Sequence, residues 1–129
     1  ARELAKKTGC KLLYLSDFYG DLDIKHLRGL GPMEFVSYLA NAEYVFTNSF
    51  HGTAFSVNLH KNFFAEVNTL SRYNYRAEAL LKACGLMKRT IEQCKDVFEE
   101  SKKPIDFNAV ENVLNLERNR SEKYFNEIL

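Results

Sequence analysis

Apolar positions along the chain fall in short blocks separated by polar, glycine-containing links. "KLLYLS" (residues 11–16), "EYVFT" (43–47) and "NFFAEV" (62–67) are apolar runs of strand length. Such runs, bounded by turn residues, predict strands buried on both faces. Between them the period changes. In "PMEFVSYLANA" (32–42), Phe35, Leu39 and Ala42 recur at helical spacing with Val36 beside them. Pro32 suits a first helical turn, and Glu34 suits the positive end of the helix dipole. "FHGTAFSVNLH" (50–60) predicts a second, short helix whose Ala54, Phe55 and Leu59 are expected to face the sheet. Strand, helix, strand, helix, strand with short links predicts an α/β fold, a Rossmann-like parallel sheet flanked by helices.

The remaining segments are less regular. "RELAKKTG" reads as the last turns of a helix with Gly9 at its C-terminal cap. "DFYGDLDIKHLRGLG" (17–31) is polar and carries Gly20, Gly29 and Gly31, which predicts an irregular connection. "NTLSRYNYR" (68–76) reads as a loop, and "AEALLKACG" (77–85) as a helix stopped by Gly85. "TIEQCKDVFEES" (90–101) is weakly helical, and Pro104 interrupts the chain. Asp106 is the expected N-cap of a last helix over 107–128. Its apolar positions cluster at the two ends, Val110, Val113 and Leu114, then Tyr124, Phe125 and Ile128. The middle is polar, so this helix is expected to lie across a surface rather than inside a core.

Composition narrows the function classes. With 129 residues and 46% hydrophobic content, the chain can bury the core of one domain. A net charge of +1 gives no general attraction to nucleic acid or to an anionic membrane. No apolar run reaches the ~18 residues of a transmembrane span, and the charged start lacks a signal-peptide pattern. Cys10, Cys84 and Cys94 are odd in number and scattered. They read as free thiols in a reducing cytoplasm rather than a disulfide framework or a zinc site. The chain begins at Ala1 inside a helical pattern, which suggests a piece of a longer protein.

Candidate chemistry concentrates in "TNSFHGTAF" (47–55). In open parallel sheets, ligands bind beyond the carboxyl ends of strands, where the next helix begins. Asn48, Ser49, His51, Gly52 and Thr53 follow such a strand end. A helix start offers free N–H groups to an anion. Gly52 permits close backbone approach, Ser49 and Thr53 are hydroxyl donors, and His51 is a proton-exchanging group. At the edge beyond the third strand stand Glu66, Ser71 and Arg72, the last able to clamp an oxyanion. Taken singly, each has a plainer explanation: Asn48 or Ser49 as a helix cap, His51 as a surface histidine, Arg72 as a solvated arginine, Glu66 as a carboxylate bonded to nearby backbone. Phe50 and Phe55 read as core, and His26 and His60 as structural.

The segment "GPMEFVSYLANAEYVFTNSFHGTAFSVNLHKNFFAE" resembles the polysaccharide pyruvyl transferase family, with its Gly-Pro, its helix before an apolar strand, and its Ser-Phe-His-Gly turn. "SRYNYRAEALLKACGLMKR" and the tail "NVLNLERNRSEKYFNEIL" resemble the segments that follow in that family. The resemblance implies a C-terminal Rossmann-like domain (1–129) of a two-domain enzyme similar in fold to GT-B glycosyltransferases, with the N-terminal domain absent. It implies transfer of pyruvate from phosphoenolpyruvate to a sugar or lipid-linked oligosaccharide of a cell-surface polysaccharide, as a ketal, with release of phosphate. It further implies His51 as the catalytic histidine. No cofactor or metal is expected, and the enzyme is expected to be cytoplasmic, either free or peripheral to the membrane. Some members carry Arg two positions before the histidine, where this chain has Ser49; the cation is then expected from Arg72 or from the absent domain. Two alternatives stand beside this reading: a nucleotide-sugar-dependent glycosyltransferase, and a non-catalytic sugar- or phosphate-binding module.

Overall fold

The computed structural model describes residues 1–15, 24–67 and 74–129. The chain is a mixed α/β structure with short parallel strands and helices. The order is α1 (Arg2–Thr8), β1 (Leu13–Leu15), β2 (Lys25–Leu27), α2 (Pro32–Asn41), β3 (Tyr44–Thr47), α3 (Phe50–Asn58), β4 (Asn62–Ala65), α4 (Tyr75–Ala83), a 3-10 turn (Met87–Arg89), α5 (Val97–Ser101) and α6 (Phe107–Ile128). No helix among the described residues is long and apolar enough to cross a membrane.

The caps follow from local chemistry. Gly9 ends α1 with φ 73°, a left-handed conformation that side chains disfavour. Pro32 occupies the first turn of α2, where its missing N–H removes no helical bond. Asp106 caps α6 by accepting from the Ala109 amide at 3.1 Å.

β3 and β4 form a parallel ladder running from Tyr44↔Asn62 to Thr47↔Ala65, with α3 as the connection. β4 is the most deeply placed strand. Phe63, Phe64 and Ala65 are fully buried, which explains why its sequence is uniformly apolar. Its far edge continues through a parallel bridge between Ala65 and Thr90, with the Ile91 amide donating to the Ala65 carbonyl at 2.9 Å. Around this ladder Leu39, Val45, Val57, Leu81 and Val110 close one core.

Two expectations need correction. The polar connection contains a strand: β2 pairs in parallel with β1, from Leu13↔Lys25 to Leu15↔Leu27. Among the described residues this pair is a ladder separate from β3 and β4, not the first strand of one continuous sheet. Lys25, His26 and Leu27 give no apolar run because none of them is fully buried. The inward face of α3 also differs from the expected one. Gly52, Thr53, Ser56 and Val57 are its buried residues, whereas Phe55 and Leu59 are each 36% exposed. Small side chains let α3 lie close to the strands. Phe55 instead meets Phe35 of α2 edge-on at 6.3 Å.

In the weakly helical stretch only Val97–Ser101 forms a helix. The first half of α6 packs on the core through Val110 and Leu114, and from residue 115 onward every side chain is exposed. His60 turns the chain from α3 into β4 with φ 53°. Its ring stacks on Phe107 at 4.6 Å, and its Nε2 lies 3.0 Å from Glu111 Oε1. His60 is thus a structural link between α3 and α6. His26 packs edge-on against Tyr14 at 4.9 Å.

Candidate functional site

Because β3 and β4 are parallel, their carboxyl ends share one edge, and α3 and α4 both start from it. The edge is drawn tight by the Glu66 amide, which donates to the Thr47 carbonyl at 2.8 Å. Asn74, the residue before α4, reaches back with its side-chain amide to the Glu66 carbonyl at 3.5 Å.

The start of α3 separates the expected site residues into two layers. Asn48, Ser49 and His51 are exposed. Ser49 is the N-cap, and its Oγ accepts from the Gly52 amide at 3.4 Å. Gly52 and Thr53 lie beneath them, buried. A Cβ on Gly52 would overlap Thr47 Oγ1 and stand 3.0 Å from Thr47 Cβ. Glycine is therefore required there by the strand behind the helix. The Thr53 hydroxyl is committed to the Ser49 carbonyl at 2.9 Å, and Ser56 likewise donates to the Gly52 carbonyl at 2.7 Å. These i to i−4 bonds let a polar helix face be buried without orphaned groups.

Glu66 is exposed, one residue past the end of β4. The edge thus brings Asn48, Ser49, His51 and Glu66 into solvent on neighbouring strand ends. Ser71 and Arg72 lie outside the described residues. The His51 ring is held edge-to-face on Phe50, with centroids 5.6 Å apart, and Phe50 itself is half-buried against the core.

Arg76 comes to the same edge. Sequence reasoning ends the loop after it, but α4 begins at Tyr75. Its guanidinium carbon lies 4.7 Å from the centroid of the Phe50 ring. The available signal was the helical spacing of Ala77, Leu80, Leu81 and Cys84, which extends back by a turn to Asn74.

Chemically, this open edge presents an imidazole, a carboxylate, small polar side chains and a cation around a helix start. Such a set can bind an oxyanion or sugar hydroxyls and can move a proton between them. No curated protein and no solved structure gives a significant match to the chain. The family model for polysaccharide pyruvyl transferase matches residues 4–68, half of the chain, and takes in β3, the start of α3 with His51, and Glu66. The chain belongs to the polysaccharide pyruvyl transferase family.

Proposed function

We propose that this domain forms one wall of a transferase cleft in which pyruvate passes from phosphoenolpyruvate to a sugar of a cell-surface polysaccharide. The product is a ketal spanning two sugar hydroxyls. In that reaction carbon 3 of the donor gains a proton and carbon 2 becomes electrophilic. Two hydroxyl oxygens bond to carbon 2 as the bond to phosphate breaks. Of the two hydroxyl protons, one balances the methyl group and the other leaves with phosphate.

His51 is the group that holds and passes a proton in this scheme, and the exposed Asn48, Ser49 and Glu66 frame the donor and acceptor. Gly52 and Thr53, expected as ligand contacts, are buried and instead support the helix start from beneath. Ser71 and Arg72 complete the binding set. The second wall is a companion N-terminal domain in a GT-B-like arrangement, and the enzyme works in the cytoplasm on a sugar or lipid-linked oligosaccharide. The observation that carries the reading is the exposed imidazole of His51 in the first turn of α3, inside the family match. A cleft edge needs a solvent-facing proton carrier; the structural His60 is also exposed but is tied to Glu111 and stacked on Phe107, whereas among the described residues no hydrogen-bond partner engages the His51 ring.

The test is phosphate release from phosphoenolpyruvate by the full-length enzyme with and without a sugar carrying two adjacent free hydroxyls. Acceptor-dependent release with a ketal in the product supports the reading. Turnover of nucleotide-sugars instead would replace it with a glycosyltransferase.

A further inference from the structure

We infer that Arg76 is a donor-binding residue, taking the phosphate of phosphoenolpyruvate beside His51, and that Phe50 is the positioning residue that holds its guanidinium there. This rests on the proposed donor. The cation sits on α4, the element after β4, whereas the imidazole sits on α3, after β3. One aromatic ring touches both: Phe50 lies 4.7 Å from the Arg76 guanidinium carbon and 5.6 Å from the His51 ring centre.

The state of Arg76 separates it from other arginines of the chain. Arg89 is buried and hydrogen-bonded to Asn62 and Lys103. Arg118 is bonded to Glu111, Asn115 and Asn58, and Arg120 to Glu117. Arg76 is exposed, and among the described residues no carboxylate or carbonyl engages its N–H groups; its recorded contact is the ring. A contact with an aromatic face restrains a guanidinium without spending its forked donors, which remain free for a bidentate oxyanion. Phe50 is fixed by the core it packs on, so it orders the arginine in advance of binding. The phosphate is assigned rather than the carboxylate because its greater charge gains more from a cation at an exposed edge.

The experiment titrates the chain with phosphoenolpyruvate, inorganic phosphate and pyruvate, followed by amide NMR. Wild-type protein is expected to bind the two phosphates weakly, in the millimolar range expected of one cleft wall, with shifts at residues 49–53 and 75–77. Arg76→Gln should weaken both about tenfold or more, as loss of a charge-assisted bidentate contact does. Pyruvate binding should not change, nor should the melting temperature. Phe50→Leu should weaken phosphate binding, and Phe50→Tyr should restore it, which a packing role alone would not require. An Arg76→Gln protein that binds phosphate as wild type does would overturn the inference and leave the pyruvyl transfer reading intact. The same holds for one that loses pyruvate alone. Absence of wild-type binding would also overturn it. Arg76-dependent phosphate binding without acceptor-dependent phosphate release by the full-length enzyme would instead sink the transfer reading and keep the anion site.

Discussion

The side chain of Thr47 occupies the space that a Cβ on Gly52 would need, with Thr47 Cβ only 3.0 Å from that position. The last residue of β3 and the first turn of α3 are therefore fitted to each other, and His51 rides on this fit. Gly52→Ala should force the helix start away from the strand and destabilise the fold by about 1–3 kcal/mol, the usual cost of overpacking. Thr47→Ala in the same chain should recover part of the loss by removing Oγ1 and Cγ2. Thermal melts of the two single variants and the double variant check this. Simple additivity would mean the two residues do not compete for the same space.

Arg89 ties the sheet to the segment after α5. It is 3% exposed, donates to Asn62 Oδ1 at 2.8 Å and to the Lys103 carbonyl at 2.5 Å, and lies over the Phe64 ring. The Asn62 amide in turn donates to the Ser101 carbonyl at 2.7 Å. Arg89→Met should cost roughly 3 kcal/mol, since it removes two charge-assisted hydrogen bonds and leaves part-buried acceptors without donors. Arg89→Lys should rescue little, because one ammonium cannot copy a fork that spans two acceptors. Denaturant unfolding of both variants provides the measurement. Wild-type stability in Arg89→Lys would show that charge alone suffices.

How much of this was readable in advance depends on burial. β4 was legible because Phe63, Phe64 and Ala65 are enclosed on both faces, so apolar residues are required at each. β2 was not, because Lys25 faces solvent and no residue of the strand is fully buried. Hydrophobic pattern does not report hydrogen bonding, and it matched burial at β4 but not at β1, where the apolar Leu13 and Tyr14 are exposed rather than enclosed on both faces. The same limit misassigned the face of α3. Thr53 and Ser56 read as polar, yet each is buried by a bond to the carbonyl one turn back. The position of His51 at a strand's carboxyl end was legible from order alone. Arg76, which shares the Phe50 ring with it, was not, since that contact arises only from the packing of α3 beside α4.

The link between α3 and α6 should weaken in acid. The hydrogen bonds from His60 and then from Arg118 hold the Glu111 carboxyl below its ordinary value of 4.5. A carboxyl with a depressed folded-state value stabilises the fold above 4.5, and that contribution is lost as pH falls through the folded value. The melting temperature should therefore drop below about pH 4.5 more steeply in wild type than in Glu111→Gln. The difference is expected to be small, because the pair is solvent-exposed. Parallel curves for the two proteins would show that Glu111 makes no net contribution.

His51 offers the most direct test of the candidate site. Its ring is exposed, and its recorded contact is the edge of Phe50. Little folding energy can depend on it, so His51→Asn should leave the melting temperature of the chain almost unchanged. Asparagine keeps a hydrogen-bonding group of similar reach but cannot carry a proton to carbon 3 of the donor or accept one from a hydroxyl. In the full-length enzyme, acceptor-dependent phosphate release should fall by roughly a hundredfold or more, the scale of losing a general acid–base group. Binding of phosphoenolpyruvate should fall much less, because Arg76 and the residues of the α3 start remain. The expected signature is thus a loss in kcat with KM nearly preserved. A variant that melts early but retains kcat in its folded fraction would make the ring a packing element, and the proton carrier would then have to be sought elsewhere on the edge, with Glu66 the next group in reach of solvent.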